Sequence, residues 1–170
     1  MKPAGFIRAE TEADVATIAA ITTAAFKGHP YSAGTEAAIV AGLRAAGALT
    51  ISLVAERDGA VVGHVAVSPV SLPHAATGWY GLGPVSVRPD MQARGIGSAL
   101  VEAALQRLGT LGAEGCVLVG NPAFYNRFGF ASHPGLVYPG VPDMYVLAKS
   151  LRGAMPTGAI AFHAAFAATP

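Results

Sequence analysis

Val85-Ser86-Val87-Arg88-Pro89-Asp90-Met91-Gln92-Ala93-Arg94-Gly95-Ile96-Gly97-Ser98-Ala99-Leu100 reads as a β-strand that passes through a tight turn into a helix. Gly95 and Gly97 sit in the first helical turn, where they leave no side chain between the backbone and an approaching ligand. The unpaired N–H groups of that turn and the helix dipole favour an anion. A diphosphate fits such a place, with Arg94 and the Ser98 hydroxyl adding to the cradle. Glycines in a strand-to-helix turn also serve close packing alone, so the turn needs a wider context.

Two nucleotide motifs fail against it. A Walker A loop requires Lys and then Ser/Thr after its last glycine, whereas Gly97 is followed by Ser98-Ala99. A dinucleotide fold requires a third glycine or alanine where Leu100 stands, and an acidic residue at the far end of the next strand, where Asn121 stands instead. ATP and NAD are therefore disfavoured.

Outward from this stretch the elements alternate. Ile96, Leu100, Ala104 and Leu108 recur on one face, so Gly95 to about Leu111 is an amphipathic helix, closed by Gly112 and Gly115. Cys116–Val119 is short and wholly apolar, as expected of a strand buried on both faces. Asn121-Pro122 opens another helix, with Asn as N-cap and Pro at the first turn; Phe124 and Phe128 stack at i, i+4, and Gly129 ends it. Tyr145–Ala148 reads as a late strand.

Towards the N-terminus, Gly81–Val87 is a strand preceded by a Pro-, Gly- and His-containing loop. Thr50–Glu56 and Ala60–Val67 flank Asp58-Gly59, a strong hairpin signal that implies antiparallel pairing. Ser32–Ala46 has a helical apolar face ending at Gly47, and Ile18, Ile21 and Ala25 mark an earlier helix capped near Thr11. Phe6-Ile7-Arg8 begins the chain as a strand. The order β-α-α-β-β-β-α-β-α-β, without repeat or long linker, predicts one α/β (α+β) domain over 1–170.

Val87-x-Pro89-x-x-Gln92-x-x-Gly95-x-Gly97-x-Ala99 and the later Asn121-Pro122-Ala123-Phe124-Tyr125-Asn126-Arg127-Phe128-Gly129-Phe130 together resemble the GNAT superfamily of acetyl-CoA-dependent N-acetyltransferases. The likeness covers most of residues 4–150 and rests on two separate motifs at the family's separation. It implies a mixed, mostly antiparallel twisted sheet of about six to seven strands, splayed between the fourth and fifth and flanked by about four helices. It also implies direct acetyl transfer from acetyl-CoA to a primary amine of a small molecule or protein, through a ternary complex and without an acyl-enzyme.

By the same resemblance, backbone groups of Val85, Ser86 and Val87 meet the acetyl carbonyl and pantetheine arm. Gln92, Ala93, Arg94, Gly95, Ile96, Gly97 and Ser98 hold the pyrophosphate, and Asn121 hydrogen-bonds the pantetheine. Phe124 lies with the cofactor contacts, although packing beside Phe128 also accounts for it. Tyr125 is the general acid that protonates the departing thiolate, against an alternative as a core tyrosine. A non-catalytic acyl-CoA-binding or sensing module with the same fold is the other functional reading, but such a module has no need of a phenol at the thiol position.

The base that deprotonates the amine is not marked by any motif. Glu36, His64, His74 and Asp143 are candidates, and Trp79-Tyr80 either lines the acceptor pocket or anchors a loop. Cys116 has no His or basic neighbour in sequence and reads as an inert buried thiol. The five histidines show no metal-ligand spacing.

Composition sets the outer bounds. The 170 residues are 52% hydrophobic and 12% charged, with eleven Lys+Arg against ten Asp+Glu scattered singly, so no basic stripe for nucleic acid is expected. One cysteine excludes an internal disulfide and points to a reducing compartment. A mean hydropathy of +0.47 raises the question of a membrane. Yet the charge-free stretch Gly59–Val87 contains Pro69, Pro73 and Pro84 with several glycines and two histidines, and Gly153–Pro170 is broken by Pro156 and Gly158. No signal peptide precedes the first acidic residues, and a cytoplasmic protein is expected. The extension 153–170 is expected to pack on the core or on a partner, leaving monomer and homodimer both open.

Overall fold

Alternating apolar residues in the middle of the chain produce its framework. In this computed structural model, which describes residues 6–73 and 77–169, β1 (Phe6–Ala9), β2 (Ile51–Arg57), β3 (Ala60–Ser71) and β4 (Trp79–Val87) form a continuous antiparallel array. The β2–β3 hairpin turns on Asp58 and Gly59, at φ +52° and +79°. Positive φ at both central positions is the turn whose twist matches the strands it joins, and glycine makes the second position inexpensive.

β5 (Gly115–Val119) lies parallel to β4, and β7 (Val146–Ser150) pairs antiparallel with β5, giving the order β1-β2-β3-β4-β5-β7. α1 (Val15–Phe26), α2 (Glu36–Ala45), α3 (Ile96–Leu111) and the single turn α4 (Pro122–Tyr125) complete the expected arrangement. β4 and β5 are paired only through Trp79–Gly115, Tyr80–Cys116 and Gly81–Val117. Beyond Gly81, β4 stays with β3 while β5 stays with β7, and the sheet opens. A bulge follows at once: Val65 faces Val85 and Val67 faces Leu82, so β4 carries one extra residue.

Both faces of the sheet are covered. Ile96, Leu100, Val101, Ala104 and Leu108 of α3 pack on Leu53, Val65, Val67, Cys116 and Leu118. On the other face Ile18 of α1 and Val40 of α2 meet Val54 and Ala66. Gly63 carries no side chain because a Cβ there would stand 3.0 Å from Leu100 Cδ1.

The rest of the second face is closed by the C-terminal segment. β6 (Leu136–Val137) pairs with β8 (Gly158–Ala159), and β9 (Ala161–Phe162) pairs with Val70-Ser71 of β3. Between them Ile160 is buried with Leu72, Trp79, Val117 and Val146. The turn Ala164–Ala167 follows, and Ala165 abuts Gly42 of α2.

Several boundaries differ from the sequence reading. β3 runs on to Ser71 because β4, which starts at Trp79, pairs with Ser68 and Pro69, and β9 then pairs with Val70 and Ser71. The second helix begins at Glu36 instead of Ser32, since Gly34 has φ +75° and the Ser32 hydroxyl accepts from Gly34 N (3.0 Å). Gly115 does not close α3 but starts β5. Val119 is 45% exposed, so only the first four residues of β5 are buried. Near Thr11 the cap is made by the Asp14 carboxylate, which accepts from Thr11 N at 2.7 Å. Arg8 also bonds this carboxylate and holds its pKa well below the usual range.

Trp79 belongs to the core: it is 5% exposed and sits against the tail cluster. A Cβ on Gly115 would clash with the six-membered ring of Trp79. Gly115→Ala is therefore expected to destabilise the fold by about 3 kcal/mol through overpacking, read as a lower urea midpoint. An unchanged midpoint would mean that the indole relocates freely.

Candidate active site

The opening between β4 and β5 becomes a cleft of about 600 Å³ lined by Val85, Val87, Met91–Ala93 and Gly95–Ser98 of the turn, Phe124, Tyr125 and Arg127, with Ala25, Phe26 and His29 closing it from the end of α1. The diverging strands explain its position. Past Gly81 the edge of β4 that faced β5 has no strand beside it, leaving backbone donors and acceptors available to an extended ligand.

The turn at the cleft wall is shaped for an anion. Ala93 (φ +60°) and Gly95 (φ +84°) are left-handed, which curls the backbone before α3 begins. Gln92 Nε2 donates to Val87 O at 3.1 Å and ties the turn to the end of β4. A Cβ on Gly95 would meet nothing within 4 Å, and one on Gly97 would reach only Phe124 Cζ and Val87 Cγ2 at 3.8 Å. Both glycines therefore face free space over the start of a sixteen-residue helix.

Across from this turn, α4 presents the aromatic residues. Asn121 Oδ1 accepts from Ala123 N at 2.9 Å, making the predicted N-cap. Phe124 stacks edge-on with Tyr125 and Phe128, and Arg127 lies 4.9 Å from the centre of the Phe124 ring. Lys149 Nζ donates to Phe128 O at 2.7 Å, and Gly129 (φ +90°) ends the segment. Tyr125 packs against Gly120, where a Cβ would stand 2.6 Å from Tyr125 Cε2. Burial, followed by the nearby Cys116, pushes the Tyr125 phenol up to about 12.

Of the residues singled out from sequence, Val85, Val87, Gln92, Ala93, Gly95, Ile96, Gly97, Ser98, Phe124 and Tyr125 line this one cleft. Three do not. The Ser86 side chain is buried and donates to Thr22 Oγ1 of α1 at 3.3 Å, leaving only its backbone on the β4 edge. Arg94 is exposed and not part of the lining, and Asn121 spends its oxygen on the helix cap.

The candidates for a base separate as well. His64 is fully buried beneath α1 and α2, with Nε2 at 2.7 Å from Ser52 Oγ, and burial pushes its pKa down to about 4. Asp143 heads a 3₁₀ turn and lines neither the cleft nor the groove beside it. His74 lies outside the described residues. Glu36 lines an adjoining groove of about 470 Å³ between α1 and α2, where its Oε1 accepts from Ser32 Oγ at 2.7 Å. Cys116 is buried in the α3-facing core, which pushes its thiol far above the ordinary range and leaves it un-ionised.

Sequence reasoning missed Phe26, His29 and Arg127. Phe26 ends α1 and His29 follows it, with no motif around either; Arg127 stands inside a recognised motif, three residues after Phe124. Among the described residues no His/Cys/Asp/Glu group is arranged for a metal, and no helix is long and apolar enough to cross a membrane.

Comparison with known proteins places these features in context. A family model described as an acetyltransferase (GNAT) domain matches residues 49–132. The uncharacterized N-acetyltransferase YhbS of Escherichia coli K12 is 34% identical over 167 residues, covering 94% of this chain and 97% of that protein. The crystal structure of YhbS from Escherichia coli with CoA superposes with a TM-score of 0.88 at 31% identity, covering 99% of this chain and 94% of the other. A GNAT family acetyltransferase from Brucella melitensis, solved with acetyl-CoA, gives 0.85 at 47% identity over 95% and 97%.

Proposed function

Because the chain belongs to the GNAT family of acetyltransferases, we propose that it transfers the acetyl group of acetyl-CoA directly to a primary amine of a small molecule or protein, with both substrates bound at once. The observation that carries this reading is the cleft itself, where an anion-binding turn and a protonated phenol line one opening between two diverging strands. The solved relatives that hold acetyl-CoA and CoA support the choice of cosubstrate.

Bound acetyl-CoA supplies an activated acetyl group as a thioester. The first-turn N–H groups of α3, with those of the curled Gln92–Gly95 segment, receive the diphosphate. Ser98 adds a hydroxyl. The free backbone edge of Val85–Val87 aligns the pantetheine arm as an added strand would, and an N–H on that edge stabilises negative charge developing on the acetyl oxygen. The amide nitrogen of Asn121 remains to donate to the pantetheine. Phe124 covers the glycine turn, and Tyr125 donates its proton towards sulfur.

Acetyl-CoA at about 100 times its Kd is expected to stabilise the protein by about 2.7 kcal/mol, which for a chain of this size raises Tm by roughly 5–10 °C. NAD and ATP at the same concentration are expected to leave Tm unchanged. The reading fails if acetyl-CoA produces no shift, or if all three ligands shift Tm equally.

A further inference from the structure

We propose that the imidazole of His29 takes the proton from the incoming amine, at the junction between the acetyl-CoA cleft and the groove between α1 and α2. This rests on the acetyl-transfer reading above and adds a residue that the reading does not supply.

The two cavities adjoin. Phe26 and His29 are the residues that line both, so the cleft wall opposite the glycine turn is also the end of the α1–α2 groove. An amine seated in the groove meets His29 before it meets Tyr125. Glu36, held by Ser32, gives this groove a carboxylate suited to an ammonium ion.

The ionisable side chains on the cleft wall are His29, Tyr125 and Arg127. Arginine stays protonated under any working condition. Tyr125, pushed up to about 12, also keeps its proton near neutrality. Histidine is the side chain whose ordinary charge change falls between about pH 5 and 8, where a base for an amine has to operate. His64 is sealed within the core, and Glu36 lines the groove without lining the cleft.

His29 is also placed to turn over. It is exposed, its ring is held edge-on to Phe26 at 6.1 Å between centres, and Tyr31 lies 6.4 Å away. The hydrogen bonds of the described residues that involve His29 use its backbone, donating to Phe26 O and accepting from Ser32 N, and leave both ring nitrogens free. The charged and titratable groups around it are Lys27, Tyr31 and Glu36 on the groove side, and Tyr125 and Arg127 across the cleft.

The proton balance closes. The ammonium form gives one proton to a ring nitrogen of His29, and the freed lone pair forms the N–C bond to the acetyl carbonyl carbon. The C–S bond breaks with its electron pair on sulfur, which takes the Tyr125 proton. The second proton, lost as the nitrogen becomes an amide, restores Tyr125. His29 passes its own proton to bulk water.

The test uses the full chain, acetyl-CoA, and thiol release with spermidine, hexylamine, L-lysine and hydroxylamine. His29→Gln is expected to lower kcat/KM for the aliphatic amines by about 10²-fold or more and to remove the acidic limb of their pH profile. Enzyme-dependent transfer to hydroxylamine, which is largely unprotonated at neutral pH, measured above its spontaneous reaction with the thioester, and the Tm shift from acetyl-CoA are expected to persist. The same pattern in His29→Asn guards against a local folding defect. Active variants that keep the wild-type pH profile, or that lose activity equally towards all four nucleophiles, would overturn the proposal while leaving the acetyl-transfer reading standing. Wild-type protein that releases no thiol above the enzyme-free rate with any of them would overturn both.

Discussion

Gly97→Val is expected to weaken acetyl-CoA binding by more than about 10²-fold, a loss of roughly 3 kcal/mol, while the protein without ligand remains folded. Gly97 is the second residue of α3, and its hydrogen points into the space between Val87 and Phe124. A bare Cβ would make only ordinary contacts there, at 3.8 Å from each. The two γ-carbons of valine extend further and cover the N–H groups that the diphosphate has to reach. Helix propensity does not oppose the change, because glycine is a poorer helix former than valine by a few tenths of a kcal/mol. Titration calorimetry separates the effects: Gly97→Ala is expected to bind with an intermediate affinity, and full affinity in Gly97→Val would remove the glycine turn from the binding site.

The same turn shows how the sequence encodes this fold and where that encoding ends. Strand, glycine turn and helix are neighbours in the chain, so the local pattern suffices, and Ile96, Leu100, Ala104 and Leu108 emerge with 1% exposure or less. The Asp58-Gly59 hairpin is legible for the same reason. Features made by distant partners are not. Pro69 and the residues around it look like loop, yet Pro69 pairs with Tyr80 of β4, and Ala161-Phe162, some ninety residues later, pairs with Val70-Ser71. Ser86 sits in the motif, yet strand alternation and the placement of α1 send its hydroxyl to Thr22 instead of into the cleft. His29 was invisible because nothing in Lys27–Tyr31 resembles a site; only the return of α1 across the open sheet makes it one. Glu36 and His64 carry suitable chemistry for a base, but topology puts one in the adjoining groove and the other under two helices.

Tyr125→Phe is expected to lower kcat by about 10²- to 10³-fold with acetyl-CoA affinity nearly unchanged. The substitution removes one oxygen and keeps the ring, which is fixed by Phe124, Phe128 and Phe130 and by the absence of a side chain at Gly120. Burial raises the phenol to about 12. The sign matters: a raised tyrosine pKa means that the proton is present throughout the neutral and mildly alkaline range, so ionisation of Tyr125 does not shape the pH profile there. A phenol that holds its proton this tightly is at first sight a poor donor to an ordinary thiolate, whose conjugate acid has a pKa near ~8.5. Loss of water acts on both partners, because it disfavours the charged form of a thiol as it does that of a phenol. If the thiolate departs beside the Tyr125 ring, where Phe124, Phe128 and Phe130 exclude water, it becomes more basic as the phenol becomes less acidic, and the transfer moves back towards balance. The consequence can be measured with acetyl thioesters of CoA-like thiols that differ in acidity. The deficit of Tyr125→Phe is expected to shrink as the leaving thiol becomes more acidic and needs the proton less. A deficit of equal size across the series would assign Tyr125 to placing the substrate instead of protonating sulfur, and an unchanged kcat would remove it from the chemistry altogether.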